Sequence, residues 1–257
     1  MFSYKKPIIF NTPHDLDHVV IYFANDIHVG NILFDNRKWD AFERLLEPRN
    51  AFVIFVGDMM ENATRNSKSC VYSQTLRPHE QKQWWVNRLR PLKPKIICIT
   101  DGNHEFNRSA KEVDDFPLYD IALGVGIEDR YRAEAAFVDI GVGRHRAGSD
   151  RQWRYVGYVS HQAQNLSNYG LADAIDGIDF CVSGHTHKPR DLPLSKLVYD
   201  SKRKSVSERP VENIVSGSFL SHGDYGMRQG KRPVSKKLYK LVCSGHAKSI
   251  ESVGFYI

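Results

Sequence analysis

Hydrophobic and polar positions follow two alternating periodicities in the first hundred residues. Short apolar runs rich in β-branched and aromatic residues predict strands at 18–25, 51–56 and 95–100. Two segments between them, 36–48 and 77–91, carry apolar residues at helical spacing. The resulting βαβαβ order predicts a parallel sheet with right-handed crossovers.

The two predicted helices have clear boundary signals. Asn36 can cap the first helix and Pro48 ends it. Pro78 lies at the start of the second helix, where its fixed φ is tolerated, and Pro91 ends it. The predicted apolar face of the first helix comprises Trp39, Phe42, Leu45 and Leu46.

The second half of the chain is richer in strands. They are predicted at 135–143, 151–160, 178–184, 211–219, 236–243 and 249–257, with a short helix at 169–176. The first two of these strands suggest a hairpin. Since no repeat, low-complexity segment or linker divides the chain, we expect a single domain over 1–257 that forms a two-sheet α/β sandwich. Its core motifs lie in 18–190 and its closing strands in 211–257.

Composition is that of a globular protein, with 41% hydrophobic and 26% charged residues. No apolar run approaches the ~20 residues that span a bilayer. The apolar patch behind the N-terminal lysines is too short for a signal peptide, so we expect a cytoplasmic protein without a membrane partner. The four cysteines form no CxxC pair, which argues against a disulfide framework.

Positive charge is concentrated late in the sequence. The net charge is +6, and 188–240 contains thirteen Lys/Arg against five Asp/Glu. Two interpretations stay open for this segment. It is either a solvated basic loop with a lysine-guarded edge strand, or a contact for nucleic acid.

Side chains that can bind metals follow five of the predicted strands directly. They are Asp26 and His28, then Asp58, then Asn103, then His161, and finally His185 and His187. The carboxyl ends of parallel strands share one edge of a sheet, where ligands bind. In extended chain, residues i and i+2 point the same way, so both residues of each Asp-x-His or His-x-His pair can reach one site.

Mixed imidazole and carboxylate ligands favour Mn, Fe or Zn over Ca or Mg. Seven candidate ligands are too many for one four-coordinate ion but suffice for two ions that share a carboxylate. Such a site retains positive charge and favours a phosphate group.

The same residues resemble the pattern of the calcineurin-like metallophosphoesterases: Asp-x-His, Gly-Asp, Gly-Asn-His-Glu, a lone His and Gly-His-x-His, all within 26–187. The resemblance implies a four-layer αββα sandwich of two mixed β-sheets flanked by helices. It implies two divalent metal ions, with Mn favoured and Fe or Zn as alternatives. One ion would be held by Asp26, His28 and His187, the other by Asn103, His161 and His185, with Asp58 bridging them.

The resemblance also implies a mechanism, in which a metal-bound hydroxide attacks phosphorus and His104 protonates or stabilises the leaving oxygen. Protein phosphatases of this type carry Gly-Asp-x-x-Asp-Arg-Gly, whose second Asp orients the catalytic histidine. Here Glu61 and Asn62 replace that Asp and Arg, which argues against a protein phosphatase. Glu61 either orients His104 through its longer side chain or does not touch it.

Other residues have two interpretations each. Arg108 is either a phosphate contact or a solvated arginine. His222, Tyr225 and Arg228 either face the substrate or belong to a turn and strand entry.

The function favoured by these features is hydrolysis of phosphodiester bonds in nucleic acid or nucleotides. The alternative enzyme is a small-molecule or cyclic-nucleotide phosphodiesterase or phosphatase. A non-catalytic protein-binding scaffold of the same fold is a third hypothesis, disfavoured because the ligand set and His104 are all retained. Oligomeric state is left open by the sequence.

Overall fold

Two mixed sheets packed face to face form the centre of the computed structural model, which describes residues 6–67, 71–146, 148–162, 171–223, 230 and 232–257. The six-stranded sheet has the spatial order β13 (Ile250–Phe255), β12 (Leu238–Ser244), β2 (His18–Ala24), β3 (Ala51–Val56), β4 (Ile96–Thr100) and β5 (Tyr131–Arg132). Strands β2 to β5 run parallel, and β12 pairs antiparallel with both β2 and β13.

The seven-stranded sheet has the order β1 (Ile8–Asn11), β6 (Ala135–Val142), β7 (Trp153–Ser160), β8 (Phe180–Ser183), β11 (Ser205–Val215) and β10 (Leu194–Asp200), with β9 (Arg190–Asp191) also paired to β11. Strands β6 and β7 form the predicted antiparallel hairpin. Strands β7, β8 and β11 run parallel to one another.

Helical segments flank both sheets. They are α1 (Asn36–Leu45), α2 (Pro78–Leu89), α3 (Asn103–Glu105), a π-helical turn (Phe106–Ala110), α4 (Lys111–Val113), α5 (Pro117–Val125) and α6 (Leu171–Ala174), with 3-10 turns at Val71–Ser73, Lys93–Lys95 and Glu128–Arg130. Helices α1, α2 and α5 contribute to the core on the outer face of the six-stranded sheet. Ala172 of α6 packs on the outer face of the other sheet. The layers therefore follow the order α, β, β, α.

Strand β3 shows why the central strands read as continuous apolar runs. All six of its residues are buried. Phe52, Ile54 and Val56 point between the two sheets, whereas Val53 and Phe55 point toward the helices. A parallel strand covered on both faces needs apolar residues at every position.

The helical layer is organised around aromatic side chains. Trp39 is fully buried and contacts Trp85 edge to face, at 4.8 Å between ring centroids. Phe42 packs beneath it on α1 and meets Phe219 from the segment after β11. These ring contacts pack α1 and α2 against the six-stranded sheet.

The structure corrects several boundaries expected from the sequence. Asp35, not Asn36, caps α1, because its carboxylate accepts from the backbone N–H of Arg37. Leu45 is only partly buried. The strand expected at 211–219 starts earlier and ends earlier, at Ser205–Val215.

None of the described helices is long and apolar enough to span a membrane.

Candidate metal centre

The seven candidate ligands all follow strands at one end of the sandwich. Strands β2, β3 and β4 of one sheet lead into Asp26, Asp58 and Asn103. Strands β7 and β8 of the other sheet lead into His161 and His185. The site is therefore built by both sheets, rather than by the edge of one parallel sheet.

Three groups of side chains among the described residues are close enough to hold a metal ion. Asp26, His28 and His187 form one group, and Asp58, His161 and His185 form a second. The third group consists of Glu61 and His104 together with His28, which it shares with the first. In each group the ligand atoms lie within 4.8 Å of one another.

Asp26 and Asp58 belong to the first and second group respectively, and each also lies near a histidine of the other group. Oδ2 of Asp58 is 3.2 Å from Nε2 of His161 and 3.8 Å from Nε2 of His28. Oδ1 of Asp26 is 3.0 Å from Nε2 of His187 and 3.9 Å from Nε2 of His161. Each carboxylate thus reaches imidazoles of both groups, which is the arrangement that two neighbouring cations need.

Several ligand atoms in the centre are buried without hydrogen-bond partners among the described residues. They are Oδ1 of Asp26, Nε2 of His28, Oδ1 of Asn103 and Nε2 of His161. A buried polar atom without a partner costs about 1–3 kcal/mol. The presence of four such atoms in one site therefore requires an explanation. Nitrogen and oxygen donors in this number fit a divalent transition metal.

The remaining atoms of these side chains are tied to the scaffold. Nδ1 of His161 lies 2.6 Å from the carbonyl oxygen of Val56 and donates to it, which leaves Nε2 free to bind. Oδ2 of Asp26 accepts from the backbone N–H of His185 at 2.9 Å, and Oδ1 of Asp58 accepts from the N–H of His104 at 2.8 Å. Hydrogen bonds of this kind orient the ligands before any ion arrives.

The backbone of the site adopts conformations that non-glycine residues rarely take. Six site residues have positive φ: Asp26 (50°), His28 (53°), Asp58 (49°), Asn62 (47°), His185 (67°) and His187 (55°). Only Asp114 and Lys204 share this property among the other described non-glycine residues. Such strain persists where the surrounding structure enforces it, and it concentrates at functional sites.

Ionisation in the centre is governed by burial and by the close carboxylates and imidazoles. Burial opposes the charged form of Asp58, but His104 and His161 outweigh it and hold its pKa well below the ordinary value. Burial and the neighbouring His104 lower the pKa of His28 to about 3. For His161, burial is outweighed by Asp58 and Asp26, which raise its pKa to about 10. The carboxylates therefore make this pocket favourable for positive charge.

His104 lies beside the two groups at the start of α3. Its Nδ1 is 3.0 Å from the carbonyl oxygen of Glu61 and 3.1 Å from Nδ1 of His28. Nε2 of His104 is 3.8 Å from Oδ2 of Asp58. Its imidazole is only slightly exposed and faces the same space as the ligands.

Glu61 occupies a position between two histidines. Its Oε2 accepts from Asn31 at 2.8 Å and lies 3.6 Å from Nδ1 of His28 and 3.8 Å from Nδ1 of His104. Nη1 of Arg108 is 3.2 Å from its Oε1. The side chain of Glu61 therefore faces a candidate ligand as closely as it faces His104.

Asn62 and His222, the other predicted site residues, have different environments. Asn62 donates to the carbonyl oxygen of His104 and to Oγ of Ser109, so it clamps the loop that carries His104. His222 is exposed next to Ser221, whose N–H donates to the carbonyl oxygen of Leu33. Tyr225 and Arg228 lie outside the described residues.

Two supporting residues were not identified from the sequence as parts of the site. Glu105 is fully buried and accepts three backbone N–H groups, from Asp58, Met60 and Gly102. Asn25 donates to Oδ2 of Asp26 and to the carbonyl oxygen of Ser216 after β11. The role of Glu105 could have been predicted from its position in Gly-Asn-His-Glu. It lies three residues after a glycine, where a glutamate can cap the start of a helix.

A family model matches the part of the chain that contains the candidate site. The family model of the calcineurin-like phosphoesterases matches residues 19–189. That range contains every candidate ligand, from Asp26 to His187. The comparison with curated proteins found no match.

Three solved structures are similar in fold. They are Yfce, a phosphoesterase from E. coli (14% identity, 91% of this chain and 98% of that chain, TM-score 0.42), a metallophosphoesterase from Sphaerobacter thermophilus (14%, 92% and 88%, 0.41) and Vps29 from Chaetomium thermophilum (13%, 92% and 98%, 0.40).

Proposed function

The chain belongs to the calcineurin-like phosphoesterase family, and from that premise we propose that this metal-dependent phosphoesterase cleaves phosphodiester bonds of nucleic acid or nucleotides at a centre of two divalent ions. Within the proposal, the whole chain, 1–257, acts as a single domain. The observation that carries it is the proximity of two ligand groups that Asp58 connects, through its contacts with His28 of one group and His161 of the other.

In this proposal Asp26, His28 and His187 hold one ion, and Asn103, His161 and His185 hold the other. Asp58 contributes to both, which its contacts with His28 and His161 support. The unpartnered Oδ1 of Asn103 supports its inclusion, because an amide oxygen is a suitable ligand and a costly atom to bury alone. Mn is the favoured metal for this mixture of nitrogen and oxygen donors, and Fe or Zn would also suit it.

When bound, two such ions supply activation of a water nucleophile and neutralisation of charge on the phosphoryl oxygens. The protein's own contribution is positioning. His104 lies where its imidazole can stabilise or protonate a leaving oxygen, since it borders Asp58 and is held by the carbonyl oxygen of Glu61. Burial of Asp26, His28, Asp58 and His161 excludes bulk water from this part of the centre and strengthens these interactions.

Positive side chains near the centre support an anionic substrate. Arg108 lies against His104 on the π-helical turn. Lys236 is partly buried, and its positive charge acts on His187. Both cations suit the negative charge of a phosphodiester.

Metal analysis combined with turnover tests the proposal. After Mn loading and removal of free metal, we expect about two ions per chain. Turnover should be compared on single-stranded DNA, a cyclic nucleotide, bis-p-nitrophenyl phosphate and p-nitrophenyl phosphate. Faster cleavage of the diesters than of the monoester is expected. A single ion per chain would contradict the dinuclear centre, and a preference for the monoester would contradict the proposed substrate class.

The role of His104 needs its own variant. His104→Ala should lower kcat on bis-p-nitrophenyl phosphate by about a hundredfold or more, while the bound Mn stays near two ions. His246→Ala is the matched control, because His246 is exposed and pairs with Asp17 on the surface. An unchanged kcat in His104→Ala would remove His104 from the mechanism.

A further inference from the structure

The hairpin formed by β10 and β11 extends beyond the body of its sheet. Leu194 to Asp200 pair with Ser205 to Val211 in an antiparallel register, whereas β11 contacts β8 only from Glu212 onward. Isolated two-stranded hairpins are marginally stable in water. This hairpin therefore needs cover on at least one face.

One face of the hairpin is covered by the protein itself. Nζ of Lys196 donates to the carbonyl oxygens of Asp173 and Ile175, both at 2.8 Å. Arg209, directly opposite Lys196, donates to the carbonyl oxygen of Gly177. These contacts fix the hairpin against the segment around α6.

The opposite face is exposed and carries three large apolar side chains next to Glu208. Tyr199 and Val206 lie directly opposite each other and are 61% and 63% exposed, and Leu197 beside them is 76% exposed. Large apolar side chains exposed singly are ordinary, but three adjacent ones on a projecting hairpin mark an interaction surface. Among the described strands, β10 is also the last of its sheet, so its outer backbone edge is unpaired.

The sequence of β10 is complementary to itself, and we propose that two copies of the chain pair along β10, antiparallel, with Val198 of one copy opposite Val198 of the other. This register places Leu197 opposite Tyr199 of the second copy, twice, because the interface is two-fold symmetric. Apolar pairs in these positions stabilise a sheet.

Neighbouring registers are less favourable. A shift of two residues in one direction sets Lys196 opposite Lys202 of the second copy, and like charges directly opposite are destabilising. A shift in the other direction sets Tyr199 opposite Ser195 and Leu194 opposite Asp200. The register centred on Val198 gives both Leu197 and Tyr199 an apolar partner, whereas each shifted register gives an apolar partner to only one of them.

A single seven-residue strand pair is small for an interface. The expected dimer is therefore weak and forms in the micromolar range. Sedimentation or light scattering over increasing protein concentration should show the mass rising from the 29.5 kDa of one chain toward twice that value.

Charge substitutions test the register. Leu197→Lys and Tyr199→Glu should each raise the apparent dissociation constant of the dimer by about tenfold. The double variant should recover to within about threefold of the unmodified chain, because the new lysine and glutamate face each other across the interface. Val206→Lys is the matched control, since Val206 lies on the same face but on β11, and its dimer should be unchanged. Melting temperatures of all variants check that they fold.

Oxidative cross-linking locates the two-fold axis. Val198→Cys should form a disulfide-linked dimer, whereas Val206→Cys should not, because the two copies of residue 206 would be separated by about three strand spacings. The unmodified chain, whose Cys98, Cys181 and Cys243 are buried, gives the background. A chain that stays monomeric at all concentrations, or a dimer that persists in Leu197→Lys and Tyr199→Glu, would overturn the proposal.

Discussion

Nη2 of Arg108 lies 3.0 Å from Nε2 of His104. A guanidinium only donates hydrogen bonds, so Nε2 of His104 accepts and the imidazole proton is on Nδ1, where the carbonyl oxygen of Glu61 receives it. The guanidinium thus lies beside the nitrogen through which His104 would act on a leaving oxygen. Its planar set of N–H groups suits a phosphate oxygen bound next to His104.

We expect Arg108→Ala to lower kcat/KM for a diester substrate by about tenfold to a hundredfold, through a raised KM as well as a lower kcat. Arg108→Lys should recover only part of the loss, because it keeps the charge but not the planar donor fork. Arg37→Ala, at an exposed arginine of α1, is the matched control. If KM is unaffected by either substitution at 108, Arg108 only braces Glu61 and His104.

Glu61 should influence metal affinity as well as turnover. Its carboxylate is 3.6 Å from Nδ1 of His28, and carboxylates behind a ligating histidine raise its basicity and fix its ring. Glu61→Gln should weaken Mn binding by about tenfold, measured by titration of the metal-free protein.

Glu112→Gln, an exposed glutamate just beyond the π-helical turn, is the control for that titration. Unchanged Mn affinity in Glu61→Gln, with only kcat reduced, would instead place Glu61 with His104 alone.

The candidate ligands were predictable from sequence because metal chemistry restricts residue type. Asp26, Asp58 and His161 were chosen as polar residues behind apolar runs, and the structure brings these side chains close together. The strand pattern predicted a two-sheet α/β sandwich, and the family resemblance implied its αββα layers. The supporting contacts were harder to identify. Glu105 acts through three backbone N–H groups whose positions depend on the fold, and hairpin β10–β11 lacks the buried alternation that makes a strand visible in sequence.

The close approach of two loops makes Gly102 essential. A Cβ at this position would lie 2.1 Å from Oδ1 and 2.3 Å from the backbone nitrogen of Asp58. Gly102→Ala should displace Asp58, lower turnover by about a hundredfold and reduce Mn binding. Gly124→Ala, on α5, is the control, because the atoms nearest to its added Cβ belong to the side chain of Val86 on α2 and not to backbone. Normal Mn binding by Gly102→Ala would show that the loop adjusts without cost.

Metal removal should be visible as lost stability. An ion that binds only the folded chain stabilises it in proportion to the logarithm of its concentration over its Kd. Chelation should therefore lower the melting temperature by several degrees, about what 2–3 kcal/mol produces in a chain of this size. Added Mn should restore it.

A ligand variant separates specific binding from a general salt effect. His161→Ala should lose most of the Mn-induced rise in melting temperature, while His246→Ala keeps it. An equal rise in both variants would mean that Mn acts elsewhere on the protein.

The adjacent tryptophans of α2 provide a test of how the helical layer supports the site. Trp85 is fully buried, and its Nε1 donates to the carbonyl oxygen of Met59 at 3.1 Å, directly after Asp58. Trp84 is partly buried against Phe34, with the guanidinium of Arg88 over its ring.

Trp85→Phe should reduce the free energy of unfolding by about 2 kcal/mol, because it leaves a small cavity and a buried carbonyl without its donor. Trp84→Phe should reduce the free energy of unfolding by less than about 1 kcal/mol, because residue 84 is only partly buried. Denaturant unfolding of both variants measures the difference, and equal losses would show that the hydrogen bond to the Met59 carbonyl contributes nothing to the loop that carries Asp58.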